Sequence, residues 1–443
     1  MLKTFRIGGI HPPENKLSVW KKVSVLPVPA QAVIPLGQHI GAPAQAVVKK
    51  GDMVKVGTLL GKSGGFISSN IHSSVSGKVS KIDSAVDASG YKRPAVYIDV
   101  EGDEWEEAID RSDTPAKECL LSTREIIDRI TGAGVVGLGG ATFPTQVKLT
   151  PPAGMKAEML IINGVECEPY LTSDHSLMTE KGEEVLAGVA ILMKAAGVDK
   201  AVVGIENNKP DAIAYLRDLA KGYQGIEVAP LKVKYPQGGE KQLIDAVMRR
   251  QVKSGALPIS VGAVVQNVGT AYAVYEAVQK NKPLVERIVT VTGGGVREPS
   301  NFLVRIGTPV RDLIEAAGGM TGDAGKIIGG GPMMGKALVS EDVPITKGSS
   351  GILVLPRVES VRKPARSCIR CAKCVQACPM GLNPSLLMNA AEFAAWELAE
   401  KNYIVDCIEC GSCSFTCPAN RPLLDHIRMG KGKVMGIIRG RKS

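Results

Sequence analysis

Apolar runs and helical periodicities alternate through the middle of the chain. "REIIDRI" has the spacing of a helix, and "AEMLIIN" is a short apolar run bounded by turns, which predicts a buried strand. "SLMTEKGEEVLAGVAILMKAAG" predicts one helix closed by Gly197, and "AVVGIENN" a strand. "KPDAIAYLRDLAKG" predicts a helix with Pro210 near its start and Gly222 at its end. "GAVVQNV" predicts another strand. Such alternation over 118–284 points to an α/β layer with parallel strands. Over 285–355, "ERIVTVTGG", "GTPVRDLIEAAGG" and "AGKIIGGGPMMGKAL" give strand, helix, strand, a small α+β, β-grasp-like module. Residues 30–100 are Val- and Gly-rich, with strand-like runs punctuated by turns at Gly51-Asp52, Gly57, Gly64-Gly65 and Gly77. An arm (1–29) precedes them and an acidic, Pro-containing linker (101–117) follows. From 356 to 443 the chain is basic and Cys-rich, so the whole is a multidomain α/β and α+β protein.

The length of 443 residues agrees with several domains. Aromatics make up only 4%, so base stacking finds no platform and no nucleic-acid partner is expected. The net charge of +10 suits an acidic protein partner, an anionic membrane surface or nucleotide phosphates. "MLKTFRIGGIHPPENK" has no apolar core of an export signal. Nor does any run reach the roughly 18 apolar residues of a membrane span. The expectation is a soluble, cytoplasmic chain that would meet a membrane only from the side.

The cysteines sharpen this picture. Cys119 and Cys167 stand alone and read as structural thiols; the other eight follow residue 367. "CIRCAKCVQACP" (368–379) recurs as "CIECGSCSFTCP" (407–418), both C-x-x-C-x-x-C-x-x-x-C-P, the bacterial run for [4Fe–4S] clusters. In such pairs the Cys before proline serves the other cluster. One set is therefore Cys368, Cys371, Cys374 and Cys417, and the other Cys407, Cys410, Cys413 and Cys378. Zinc, which prefers two separated C-x-x-C pairs, fits this 3+1 pattern poorly. Between the runs, Asn383 can cap a helix that opens with Pro384 and continues through "SLLMNAAEFAAWELAEK", with Leu387, Ala391, Ala394 and Leu398 on one face. Arg357, Arg362, Lys363, Arg366, Arg370 and Lys373, with the tail "IRMGKGKVMGIIRGRK", make this domain basic. That charge is either a solvated surface or a docking face for an acidic or membrane-bound partner. The five histidines are scattered, without metal spacing.

Residues 132–137, "GAGVVG", match the dinucleotide fingerprint G-x-G-x-x-G through Gly132, Gly134 and Gly137. A Rossmann turn must follow a strand, however, and Gly132 follows the helical "REIIDRI". About 20 residues on, where that fold carries an acidic ribose ligand, the chain reads "TPPAG". Gly132 and Gly134 are thus expected at a helix C-terminus and in a turn.

The next glycines differ. "GLGGATFPTQVKL" (137–149) resembles the flavin loop of the flavoprotein subunit of respiratory NADH dehydrogenases. That resemblance implies that Gly137, Gly139, Gly140 and Phe143 wrap FMN and position NADH, with Lys148 at the FMN phosphate. "INGVECEP" (162–169) resembles its strand-end segment, which implies that Asn163, Glu166 and Glu168 face flavin and nicotinamide. "YPQGGEKQ" (235–242) is similar to its next glycine turn, through Tyr235 and Gly238, and "VVQNVGT" (264–270) to its flavin-phosphate segment, through Gln266 and Asn267. Three positions depart from that family: Val165 and Gly239 stand where it has acidic residues, with Glu240 one place later, and Gln266 replaces an Asn. "VVKKGDMVKVGTLLGK…IHSSVSGKVSKI" resembles the barrel-sandwich fold of biotinyl and lipoyl carriers, but the tip "SGGFISSN" lacks their lysine.

Nearly end to end, through "FRIGGIHPPENK", "LIINGVECEPYLTSDHSLM", "IENNKP", "YPQGGEKQL" and the paired cluster runs, the chain resembles the RnfC family, one of the subunits of the Rnf ion-translocating ferredoxin:NAD+ oxidoreductase complex. The resemblance implies four folded parts: a barrel-sandwich module, an α/β FMN/NADH domain, an SLBB β-grasp-like module and a helical two-cluster ferredoxin domain. It implies FMN and NAD(H) as cofactors beside the two [4Fe–4S] clusters. It implies other Rnf subunits as partners, membrane subunits and a ferredoxin-like subunit among them, and a peripheral place on the cytoplasmic face of the membrane. The alternatives are a soluble flavin/iron–sulfur reductase, such as the cobalamin reductase of diol-utilisation compartments, and a non-catalytic electron-relay scaffold.

Overall fold

The computed structural model describes residues 2–441. Its central sheet has four parallel strands in the order Ile226–Leu231, Ala201–Glu206, Met159–Asn163, Ala263–Asn267. The chain runs outward from Met159–Asn163 through two strands, then returns to its other side for Ala263–Asn267. The carboxyl ends of Met159–Asn163 and Ala263–Asn267 therefore border a topological switch point, where open α/β sheets leave a crevice for a ligand. Asn163 and Asn267 are register partners at that point.

Strand alternation divides the core between two layers. Leu160, Ile162 and Val203 pack under the helices Thr123–Gly132, Gly182–Ala196, Pro210–Ala220 and Val268–Gln279. Ile161, Val202 and Val265 face the helix Glu240–Met248. The single helix expected over 176–197 is two, Ser173–Glu180 and Gly182–Ala196. The break lets Gly182 lie so close to the next helix that a Cβ would stand 2.6 Å from the Tyr215 ring. The strand Ile226–Leu231 carries Pro230 and went unread; it is an edge strand, the one place in a sheet where a missing N–H is tolerated.

The amino-terminal module is two small sheets enclosing Ile34, Leu60, Ile71, Val79, Val96 and Ile98. Its tip between Leu59–Lys62 and Ile71–His72 lies on the flavin-side domain: Gln146 Nε2 donates to the Ser68 carbonyl at 3.0 Å, and Asn70 Nδ2 to that of Gly132 at 3.2 Å. A six-stranded mixed sheet follows, built on Glu286–Thr292, Ser300–Arg305, Ala324–Gly329 and Gly351–Pro356; Ser24–Val25 from the arm adds one edge and Lys336–Ala337 the other.

The carboxy-terminal domain is helical. Asn383 Oδ1 accepts from Leu386 N at 3.2 Å and Pro384 opens the helix Pro384–Glu392, as its sequence predicts. The expected continuation is interrupted: Ala394 takes a left-handed conformation (φ 53°), and a second helix starts at Trp396. The basic tail is itself a helix, Leu423–Gly440, packed on both.

Candidate cofactor site

Gly132 ends a helix and Gly134 turns the chain after it at φ +65°. Neither forms a strand-to-helix turn, so the first fingerprint binds no dinucleotide in the Rossmann manner. The loop from Gly137 to Phe143 follows and crosses the switch point. Leu138 N donates to Thr270 Oγ1 at 2.9 Å. Gly139 approaches Asn267 so closely that a Cβ would stand 2.8 Å from Asn267 Nδ2, whereas Gly140 has open space. Phe143 is half-buried.

Four of the predicted segments meet here. Asn163 Nδ2 donates to the Gly238 carbonyl at 2.9 Å, and Asn267 Nδ2 to the Asn163 carbonyl at 3.2 Å. Asn267 also caps its own helix, its Oδ1 accepting from Gly269 N at 2.8 Å. Lys148, on the short helix Thr145–Lys148, reaches the same sheet edge and donates to the Val265 carbonyl at 3.0 Å and Glu240 Oε1 at 2.7 Å. Two buried polar atoms on these same segments, Thr145 Oγ1 and Gln266 Nε2, have no hydrogen-bond partner. Unpaired buried polar groups are costly, and a bound ligand's acceptors would satisfy them. The donor set fits the phosphate end of a flavin nucleotide.

Both glutamates accept hydrogen bonds from backbone N–H groups. Glu166, at φ 45°, accepts from Asp174 N at 2.8 Å and His175 N at 3.2 Å, so its carboxylate holds the start of the helix Ser173–Glu180. Glu168 accepts from Met333 N at 2.6 Å and Met334 N at 3.0 Å. It is held against the six-stranded-sheet module, where burial pushes its pKa up. Sequence reading missed Asp174 and Arg287. Asp174 Oδ2 accepts from Asn267 Nδ2 at 2.7 Å; burial beside Glu166 raises its pKa to about 7. Arg287 is buried close by and is pulled down to about 10 by desolvation, partly offset by Asp174. Asp174 lies within the segment "LTSDHSLM", but nothing local in the sequence announces Arg287, which comes from another domain.

Six of the eight carboxy-terminal cysteines are drawn together in the fold. Cys378, Cys407, Cys410 and Cys413 line one apolar cavity, walled by Leu382, Leu387 and Ile427. Cys374 and Cys417 pack with Met388 and Leu423 in a neighbouring cluster that Cys413 also borders. The fourth cysteine of the first run has therefore crossed to the second. Among the described residues no three His, Cys, Asp or Glu side chains form a group able to hold a single metal ion. The two runs repeat one backbone shape: Arg370 and Glu409 have φ 55° and 58°, and their N–H groups donate to Cys368 and Cys407 Sγ, each at 3.4 Å. N–H···S bonds of this kind fit cluster sulfurs and tune them. Cys368 and Cys371 are exposed, whereas Cys378, Cys410 and Cys413 are buried. The buried group adjoins the flavin-side domain: Tyr235, itself buried, donates its hydroxyl to the Cys410 carbonyl at 2.8 Å. Cys167 fills the same seam, accepting from Gly238 N at 3.4 Å, and Cys119 packs on the main core.

Comparison with known proteins agrees part by part. Family models match at 3–103 (RnfC Barrel sandwich hybrid domain), 130–276 (Nuo51 FMN-binding domain), 288–337 (SLBB domain) and 367–421 (4Fe-4S dicluster domain). The chain is 48% identical to a subunit of the proton-translocating ferredoxin:NAD(+) oxidoreductase complex of Clostridium ljungdahlii, covering 98% of this chain and 94% of that one. It is 43% identical to the counterpart from the Na(+)-translocating complex of Acetobacterium woodii, covering 98% and 97%. Among solved structures, an NAD+-reducing [NiFe]-hydrogenase in the H2-reduced state shares the fold, with a TM-score of 0.50 at 20% identity over 73% of this chain and 65% of that one. No helix among the described residues is long and apolar enough to cross a membrane.

Proposed function

This chain belongs to the RnfC family of the Rnf ion-translocating ferredoxin:NAD+ oxidoreductases, and from that premise we propose that it binds NAD(H), FMN and two [4Fe–4S] clusters and passes electrons among them. The observation that carries this reading is the crossed grouping of thiols, Cys378 with Cys407, Cys410 and Cys413 against the flavin-side domain and Cys374 with Cys417, while Cys368 and Cys371 are exposed. FMN, when bound, would couple the two-electron chemistry of a nicotinamide to the one-electron chemistry of the clusters. The residues proposed to hold it are Gly137, Gly139, Gly140, Phe143, Lys148, Asn163, Tyr235, Gly238, Gln266 and Asn267. Lys148 supplies charge, Gln266 and Thr145 supply free donors, and the glycines allow close backbone approach. Glu166 and Glu168 shape the site by holding backbone N–H groups. Cys378, Cys407, Cys410 and Cys413 would hold the inner cluster; Cys368, Cys371, Cys374 and Cys417 the outer one.

The outer cysteines emerge among Lys363, Arg366, Arg370 and Lys373, none of which has an ion-pair partner among the described residues, with Ile369 69% exposed between them. An open, basic exit of this kind suits an acidic one-electron carrier, in keeping with a ferredoxin-like subunit as neighbour and membrane subunits beyond it, on the cytoplasmic face. The test is anaerobic reconstitution with iron, sulfide and FMN, followed by titration with NADH. Flavin bleaching followed by loss of cluster absorption is the expected result. A chain that takes up flavin and iron but is not reduced by NADH would overturn the proposal.

A further inference from the structure

Residues 3–18 match a family model as part of the amino-terminal module, yet they leave it and lie across the flavin-side domain. Lys3 bridges Leu231, Phe5 is buried beneath Lys234, whose Nζ stands 4.0 Å from the ring centre, and Arg6 pairs with Asp245. The strap then enters the seam below the inner thiols. Gly9 N donates to the Ala377 carbonyl at 3.0 Å, and Ile10 and Tyr235 exchange both backbone hydrogen bonds at 2.9 Å. A Cβ on Gly8, at φ +66°, would stand 2.3 Å from the Cys378 carbonyl oxygen. Ile10 is buried with Tyr235, Ala377 and Cys410. Further on, Lys16 Nζ donates to the carbonyls of Glu166, Glu168 and Leu171 at 2.9, 3.0 and 2.6 Å, which uses all three of its protons.

Between Gly8 and Lys16 the strap thus ties together three pieces remote in sequence: the loop bearing Cys378, the turn at Tyr235 and the strand-end loop after Asn163. We infer that the amino-terminal strap is a positioning element that sets the distance between the flavin site and the inner cluster, an inference that rests on the electron path proposed above. Electron transfer falls steeply with separation, and the flavin-side and cluster domains otherwise meet through few polar contacts, Tyr235 to Cys410 and Gln242 Nε2 to the Pro379 carbonyl at 3.2 Å among them. Gly8 is the position where close approach is enforced, because any side chain there must push the Cys378 loop or the strap away.

Gly8→Ala and Ile10→Ala test this in the reconstituted protein; the first adds an atom at the seam and the second removes bulk from it. Trp20→Ala, at an 86% exposed position of the same arm, serves as control. Wild type is measured first: absence of NADH-driven flavin bleaching or of cluster reduction would sink the proposed function, not the strap. Given both phases, flavin reduction by NADH, flavin content and iron content should hold in all variants. The following cluster phase should slow severalfold in Gly8→Ala, and less in Ile10→Ala, because added separation weakens electron transfer. Amide hydrogen exchange supplies a readout independent of turnover: segments 8–10 and 377–382 should lose protection together in Gly8→Ala and not in Trp20→Ala. Unchanged cluster reduction and unchanged protection in both seam variants would overturn the inference, as would equal slowing of the flavin and cluster phases. Should Gly8→Ala fail to fold, Ile10→Ala decides alone on the same readouts.

Discussion

Lys148 shows how a residue can be singled out by motif while its environment goes unread. Its position after the glycine loop was legible from motif spacing, but its ion pair with Glu240 was not, because Glu240 lies 92 residues away and comes to the sheet edge only in the fold. A phosphate would have to compete with that carboxylate. Lys148→Ala should therefore lower FMN affinity by on the order of tenfold, the low end of what a charge-assisted contact supports. Glu240→Gln should tighten FMN binding; equilibrium dialysis of flavin against each variant checks both signs. The glycines upstream separate equally well. Gly132 has open space around a would-be Cβ, so Gly132→Ala should retain fold and flavin. A Cβ on Gly134 would meet the Asn70 carbonyl at 2.3 Å at a positive φ, so Gly134→Ala should destabilise the contact with the barrel-sandwich module. Loss of flavin by a folded Gly132→Ala would reinstate the first fingerprint. Lys347 gives a pH signature at the same contact. It is buried with the carbonyls of Asn70 and Gly134 as acceptors, and desolvation lowers its pKa from 10.5 to about 7. Above pH 7 the unfolded chain then holds this proton more strongly than the folded one, so the Lys347 contribution to stability rises with pH between about 7 and 10.5 and is flat below. Thermal midpoints from pH 7 to 9.5 should climb more steeply in wild type than in Lys347→Met; equal slopes would show that other groups dominate.

Among the elements, those with a strong local period were legible and those shaped by distant packing were not. The strands ending at Asn163 and Asn267 are uniform apolar runs, and the helix at Pro384 announces itself through a capping Asn and a proline. The breaks at Lys181 and Ala394 had no such marker, since helical periodicity runs straight through both. The crossed cysteines were readable because iron–sulfur ligation imposes a spacing that survives any surrounding fold. Their unequal exposure was not, since it depends on which run the other domains cover. That inequality is testable. In the cluster-free chain, alkylation should label Cys368 and Cys371 well before Cys410 and Cys413. In the loaded chain, a chelator should remove about four of eight irons in a fast phase. Cys371→Ala should abolish that phase and leave the slow one; a single phase in wild type would contradict an outer and an inner site.

For the molecule as a whole, charge divides the labour. The sheet edge that would take the nucleotides and the basic exit at Arg366, Arg370 and Lys373 belong to different domains, so they should fail independently. Replacing those three side chains by Glu should slow transfer to an acidic ferredoxin by about tenfold at low ionic strength, with the difference shrinking as salt is added. Reduction of flavin by NADH should be unaffected; stopped-flow absorbance at two wavelengths separates the two. If both slow together, the surface is part of the fold rather than a docking face.

A ribosome that has reached Asp406 has already made the whole first run, Cys368, Cys371, Cys374 and Cys378, enough in number to capture a cluster and different in composition from either proposed set. Because one thiol is exchanged in each direction, the first group waits for Cys417 and the second for Cys407, Cys410 and Cys413. On the proposed ligand sets, correct pairing requires the second cysteine run to be present when the clusters are installed, and a cluster captured by the first run alone would sit on a non-native set of thiols.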